Sequence, residues 1–304
     1  MKISVAQLNY HIGNFTRNKD LICNAIKKAK AEGAELIIFS ELCIPGYPPL
    51  DLLDRFDFIE KCNLTVKEIA EECKGIAAIV GSPTLNKNHE GKKLFNSALF
   101  LSEGKVIFSA NKALLPTYDI FDEYRYFEPE NQFSVFSFKG LRLAITICED
   151  LWDEQPFDNA FEKARLYTVS PMEELAKQNP DIIINISASP FSYTKIEAKE
   201  NIFRSKALKY KIPVISVNQT GANTELIFDG ASLIVNKNGE ILDQLPFFEE
   251  AVKTYSFDKI NSDPILLKGS RPETIPLIHK ALVTGIRDYC SKTGLKSSIV
   301  GLSG

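Results

Sequence analysis

"DIIINISAS" (181–189), "KIEAKENIFRSKALKY" (195–210) and "PVISVNQ" (213–219) follow one another along the chain. The outer two are short apolar runs and read as strands, while the longer middle segment has the spacing of a helix. A strand–helix–strand succession of this kind belongs to an α/β fold. The next segment, "ASLIVNKNGEILDQL" (231–245), reads as a hairpin turning at Asn238-Gly239, because Asn and Gly tolerate the positive φ that tight hairpin turns require.

The N-terminal half is written in the same style. "ISVAQLN" (3–9) reads as a strand, "NKDLICNAIKKAKAEG" (18–33) as a helix stopped by Gly33, and "ELIIF" (35–39) as a buried strand. A loop with Pro45, Gly46, Pro48 and Pro49 follows, then helical segments to about Cys73 and a strand at "IAAIVGSP" (76–83). "LFNSALFLSEGKVIFSANK" (94–112) and "FSVFSFKGLRLAITIC" (133–148) read as hairpins around "EG" and "KG". Two such halves predict an α/β fold in which two mixed sheets stack with helices outside, a four-layer α-β-β-α sandwich over residues 1–262. The character changes beyond that point. "NSDPILLKGSRPET" reads as a linker, "TIPLIHKALVTGIRDYCSKTG" (274–294) as a helix, and "SSIVGLSG" as a strand entering a glycine turn. Residues 263–304 are therefore expected to be a linker helix and the first strand of a further domain.

Composition narrows the function. The formal net charge of −3 offers no general attraction to nucleic acid or to an anionic membrane. No apolar run approaches the ~20 residues that span a bilayer. "MKISVAQLNY" lacks the apolar core of a signal peptide, so a cytoplasmic protein is expected. The six cysteines form no CxxC pair and are expected to be reduced thiols. With only His11, His89 and His279 available, neither a His-based triad nor a zinc site is indicated, and no metal is expected. The base for any catalytic cysteine should then be something other than histidine.

Cys148 closes the apolar run "LRLAITIC" and is followed directly by Glu149 and Asp150 in "ICEDLW". Acidic neighbours favour the neutral thiol, and a small buried filler is the ordinary role of such a residue. Two other charged residues stand at strand ends in the same manner. Glu41 follows "LIIF" in "FSELCIPGYPP", and Lys112 ends "VIFSANK". Taken singly they read as solvated charges. Taken together, an acid, a cation and a thiol at the C-terminal ends of strands can meet in one crevice.

These three blocks, "FSELCIPGYPPLDLL", "NKALLPTYDIFDEYRYF" and "ITICEDLW", resemble the Glu-Lys-Cys triad of the nitrilase (carbon–nitrogen hydrolase) superfamily. With "NISASPFSYTK" (185–195) and "NQTGANTELIFDGAS" (218–232) they resemble more specifically the glutaminase domain of glutamine-dependent NAD synthetases, in family order across about residues 1–260. "IVGLSG" is similar to the start of the pyrophosphate loop of the synthetase domain.

The resemblance implies a nitrilase-type fold and hydrolysis of L-glutamine to glutamate and ammonia. It makes Cys148 the nucleophile, Glu41 the general base and Lys112 the cation that stabilises the oxyanion. Glu123 would orient Lys112, and the Glu149 backbone N–H would contribute to the oxyanion hole. Tyr47 and Tyr118 would line the glutamine pocket, with Ser187, Ser189 and Lys195 near the α-amino and α-carboxylate ends. The hydrolytic step would use no cofactor; ATP and Mg2+ would belong to a synthetase domain absent from these residues. The expected partners are L-glutamine, that domain and further copies of the chain in a homo-oligomer. A free-standing amidase acting on another small amide is the alternative. A non-enzymatic module with a decayed site is disfavoured, because all three triad positions and Glu123 are intact.

Overall fold

The computed structural model describes residues 1–88, 90–154, 156–158, 163–261 and 273–303. The first half runs β1 (Lys2–Gln7), α1 (Phe15–Ala31), β2 (Leu36–Ile38), α2 (Phe56–Glu72), β3 (Ala77–Leu85), β4 (Leu94–Ser102) and β5 (Lys105–Asn111). It continues with β6 (Phe136–Phe138), β7 (Leu141–Ile147), β8 (Pro156–Asp158), β9 (Lys163–Arg165), α3 (Pro171–Ala176) and β10 (Ile182–Ser187). Then come α4 (Ile196–Tyr210), β11 (Val214–Asn218), β12 (Thr220–Asn223), β13 (Leu226–Asp229), β14 (Leu233–Val235) and β15 (Ile241–Gln244). The chain ends with β16 (Ala251–Ser256), α5 (Phe257–Asn261) and α6 (Thr274–Thr293).

Two six-stranded sheets result, in the orders β16-β1-β2-β3-β4-β5 and β15-β14-β11-β10-β7-β6. Both are mixed. β1–β2–β3 and β7–β10–β11 are parallel, and hairpin or returning strands flank each set. Side-chain alternation sorts the residues into layers. Leu36 and Ile38 of β2 face the second sheet, in one core with Ile145, Ile147, Ile184 and Ile186, while Ile37 faces the helices. Outside the first sheet, α1 and α2 supply Ile22, Ile26, Ile59 and Val66. Outside the second, α3 and α4 supply Met172, Leu175, Phe203 and Ala207. The α/β four-layer sandwich expected from the sequence is the observed architecture.

α1 shows how local sequence sets an element. Asn14 caps it by accepting from the Arg17 N–H at 3.2 Å, and Lys28 and Lys30 lie in its last turn, where cations suit the helix dipole. Ile22, Ala25, Ile26 and Ala29 form its buried stripe.

The C-terminal region differs from the expectation. Most of the linker "NSDPILLKGSRPET" falls on residues 262–272, outside the described residues. The helix forms as α6, but it packs on the first unit, with Leu277 and Ala281 buried against Phe247, Phe248 and Ile196. The strand expected at "SSIVGLSG" is absent: residues 297–303 have no regular structure and are exposed. A strand is held by ladder hydrogen bonds to a neighbour, and among the described residues no strand pairs with this segment.

Candidate active site

Four strand ends deliver the site. Cys148 directly follows β7, Lys112 directly follows β5, Glu41 lies three residues beyond β2, and Ala188 directly follows β10. All are C-terminal ends, where open α/β sheets place their ligand crevices. Cys148 has a φ of +43°, and the chain turns there from β7 into a single 3-10 turn. This conformation is uncommon for a residue with a β-carbon and recurs at functional positions.

The charged centre is fully buried. Lys112 Nζ lies 2.8 Å from Glu41 Oε1 and 2.6 Å from Glu123 Oε2, and none of the three side chains is more than 7% exposed. Glu41 has further donors: Asn96 Nδ2 reaches Oε1 at 2.7 Å and the Ala188 N–H reaches Oε2 at 2.9 Å. The Tyr47 hydroxyl donates to Glu123 Oε1 at 2.9 Å. One ammonium thus holds two carboxylates, and every carboxylate oxygen named has a donor, as buried charges require.

Burial by itself pulls an ammonium down, but Glu123 and Glu41 outweigh it and hold Lys112 well above its ordinary range. Burial pushes Glu123 up to about 7 against the pull of Lys112, with Glu41 adding to the rise. Cys148 lies well above the usual thiol range. Burial is the main cause, Glu41, Glu149 and Glu123 add to it, and Lys112 opposes it. Cys148 is therefore a protonated thiol at neutral pH.

Glu149 and Asp150 divide their work. Asp150 turns inward: its Oδ1 accepts from the Ala113 and Leu114 N–H groups, both at 3.0 Å, and its Oδ2 accepts from Ile147 N–H at 2.9 Å. It ties the segment after Lys112 to the strand that carries Cys148. Glu149 receives the hydroxyls of Tyr118 at 2.8 Å and Tyr167 at 2.9 Å on Oε1. Burial pushes Glu149 above the usual carboxylate range, and those two hydroxyls together with Lys112 work against the rise.

Cys148 and Glu149 open into a cleft of about 320 Å³. Tyr118, Phe121, Trp152, Phe191, Leu226 and Ile227 give it apolar walls, and Asp119, Lys195, Ser189 and Glu225 supply polar groups. Apolar walls with a few placed polar groups suit a small ligand. A larger, open groove of about 1540 Å³, bordered by Lys67, Asn86, Glu128 and Gln132, includes none of the triad.

The carbon–nitrogen hydrolase family model matches residues 2–261. This chain belongs to the carbon–nitrogen hydrolase family. It is similar to the glutamine-dependent NAD(+) synthetase of Synechocystis, with 38% identity over 99% of the chain and 54% of that protein. It is 33% identical to the Acinetobacter baylyi protein of the same name, over 100% of the chain and 53% of that protein. Among solved structures, the glutamine-dependent NAD+ synthetase of Acinetobacter baumannii matches with a TM-score of 0.85 and 30% identity, over 96% of this chain and 52% of that one. An amidase of the nitrilase superfamily from Nesterenkonia matches with a TM-score of 0.69 at 22% identity, over 84% of this chain and 89% of that one, which shows a shared fold. The chain spans about half the length of the synthetases it matches.

Within this carbon–nitrogen hydrolase fold, Glu41, Lys112 and Glu123 meet in one hydrogen-bonded cluster, and Cys148 lies within its electrostatic reach. Tyr118, Ser189 and Lys195 line the cleft with Cys148 and Glu149. Tyr47 and Ser187 do not line it. Tyr47 is spent on Glu123, and the Ser187 hydroxyl donates to Asn185 Oδ1 at 2.7 Å. Several participants escaped the sequence reading. Asn96 bonds Glu41, Asn185 Nδ2 reaches the Cys148 carbonyl at 3.3 Å, and Tyr167 bonds Glu149. The two asparagines had a signal: each is an amide inside an otherwise apolar strand, "LFNSALF" and "IIINIS", where a polar side chain needs a partner. Among the described residues, no group of three or more His, Cys, Asp or Glu side chains is placed to hold a metal ion. No helix of the described residues is long and apolar enough to cross a membrane.

Proposed function

We propose that this chain hydrolyses the side-chain amide of L-glutamine to glutamate and ammonia, as the ammonia-supplying unit of a glutamine-dependent NAD synthetase. The observation that carries the chemistry is Lys112 held between Glu41 and Glu123 beside a buried, protonated Cys148. The choice of glutamine rests on the similarity to proteins named glutamine-dependent NAD synthetases.

Each step has a group for it. Glu41 takes the thiol proton as Cys148 Sγ attacks the amide carbon, so no free thiolate has to form first. The carbonyl π electrons move onto oxygen, and the oxyanion is met by the Lys112 ammonium and the Glu149 backbone N–H. Glu41 returns the proton to the leaving nitrogen, the C–N bond breaks, and ammonia departs from a thioester. Water, deprotonated by Glu41, attacks the thioester; glutamate leaves and the Cys148 thiol is restored. Glu123 keeps Lys112 charged and in place throughout. Among the cleft-lining residues, Lys195 offers a cation for the substrate α-carboxylate, and Glu225 and Asp119, the latter 3.5 Å from the Lys195 ammonium, offer anions for its α-ammonium. ATP and Mg2+ belong, in this reading, to a synthetase unit that consumes the ammonia, and assembly with further copies of the chain is part of the same proposal.

The test is ammonia release by the 304-residue chain given L-glutamine, acetamide or propionamide, with Cys148→Ala as the control. Cys148-dependent release from glutamine supports the proposal. Release from the simple amides with none from glutamine replaces it with a free-standing amidase.

A further inference from the structure

Lys292, in the last turn of α6, points into the protein rather than into solvent. Its Nζ lies 2.7 Å from Asn9 Oδ1, Tyr10 O and Ala222 O and 2.9 Å from Asn223 Oδ1, so three N–H donors are shared among four acceptors. Asp288, one turn earlier on the same face, accepts from Asn9 Nδ2 at 2.6 Å and from the Ala222 N–H at 2.8 Å. Both backbone groups of Ala222 in β12 are therefore held by one helix. Gly285, another turn earlier, lets α6 come close: a β-carbon there would lie 3.0 Å from Ile227 Cδ1. Ile227 belongs to β13, and with Glu225 and Leu226 it forms one wall of the Cys148 cleft.

The contact continues inward. Lys292 can only donate, so the Asn223 amide must turn its oxygen toward it. That leaves Asn223 Nδ2 to donate to the Tyr47 carbonyl at 3.1 Å. The Tyr47 ring stands edge-on to Phe228 of β13, with centroids 6.1 Å apart, and its hydroxyl donates to Glu123 Oε1. Glu123 in turn holds Lys112. A line of polar contacts, part-buried at Lys292 and buried from Asn223 inward, runs through the Tyr47 residue from the last turn of α6 to the Lys112 ammonium.

We propose that α6 is the positioning element of the hydrolytic site, with Lys292 and Asn223 as positioning residues that set Tyr47 on Glu123 and fix the Glu225–Ile227 wall. This inference rests on the reading of Cys148 as an amide-hydrolysing nucleophile.

Two variants of the full chain test it. Asn223→Asp keeps an oxygen for Lys292 and removes the N–H that reaches Tyr47, with almost no change of shape; Lys292→Met removes the donor itself. The readouts are kcat and KM for ammonia release from L-glutamine, thermal unfolding, and the pH dependence of Cys148 alkylation by iodoacetamide. Asn223→Asp is expected to lower kcat about tenfold with KM altered less than about threefold. Alkylation should show the Glu123 ionisation at higher pH, since the Tyr47 hydroxyl favours the charged carboxylate. Asn223→Asp should cost nothing more in a Tyr47→Phe background, because both act through one contact. Lys292→Met, wherever it folds, should repeat the kinetic loss. A folded Asn223→Asp with wild-type kcat and an unmoved alkylation profile overturns the proposal. If the unaltered chain releases no ammonia from glutamine, the preceding functional proposal is the one that fails, and the alkylation profiles still decide the role of α6.

Discussion

Gly81 of β3 lies against the backbone of Glu41 with no space for a methyl group. A β-carbon at position 81 would sit 2.2 Å from Leu42 N and 2.7 Å from the Glu41 carbonyl carbon. These are backbone atoms and cannot rotate aside. The same two segments are keyed together by Ile44 N–H on the Gly81 carbonyl at 3.1 Å and by Gly81 N–H on Cys43 Sγ at 3.3 Å. Gly81→Ala should therefore displace the Glu41 backbone. The expected result is a fall in kcat of about ten- to a hundredfold with every triad residue still present, because misplacement by about 1 Å is costly in catalysis. Steady-state kinetics beside a melting curve would show it; a wild-type kcat would mean that the Glu41 loop adjusts freely.

Glu41→Gln preserves size and an oxygen for the Ala188 N–H but cannot accept the Cys148 proton. Ammonia release should fall by about 10²–10⁴-fold, the usual worth of a placed general base. Retention of most of the rate would remove Glu41 from the proton transfer.

Lys112→Met leaves two carboxylates buried without their cation. Breaking such a pair costs about 3–5 kcal/mol, to be read from urea unfolding. Adding Glu123→Gln to Lys112→Met should recover part of that loss, since one of the stranded charges is then gone. Additive losses would show that Lys112 and Glu123 are not energetically coupled.

Glu123 gives a signed pH dependence. Burial raises it from 4.5 to about 7 in the folded chain, so the folded state holds its proton more tightly than the unfolded state does. Its contribution to stability is fully present below the unfolded value and is lost as pH rises to about 7. Glu123→Gln should flatten the stability profile between those two pH values, by about 1 kcal/mol per pH unit at the steepest. Urea unfolding of the two proteins at a series of pH values measures the difference; parallel profiles would place the Glu123 ionisation outside this window.

The strand and helix pattern was largely legible. β2 and β10 announce themselves as apolar runs because both faces of each are covered, and α1 and α4 by their length and spacing. The misses share a cause. β16 is half-exposed and closes the first sheet against β1, about 250 residues away in sequence, and β12 reads "TGAN", with no strand-like composition at all. Both take their conformation from a partner rather than from their own side chains. The strand expected after α6 differs in the opposite direction: its composition suits a strand, but among the described residues no strand pairs with it.

Periodicity, a local property, made the layer order legible in the sequence, and the resemblance of three motif blocks to the carbon–nitrogen hydrolases marked Glu41, Lys112 and Cys148 as the candidate triad. What those residues touch follows from how the two sheets and the helices pack. Glu41 meets the Ala188 N–H, 147 positions away, because two separate sheets stack with their C-terminal ends together. Asp150 proves to be an anchor for the Lys112 segment, Tyr47 a support for Glu123 rather than a pocket wall, and Lys292 a clamp on β12. In each case a polar group is taken out of water and must find its partner among whatever the packed layers bring within about 3 Å. Spacing along the chain does not encode that choice; the stacking of the sheets and the docking of α6 do.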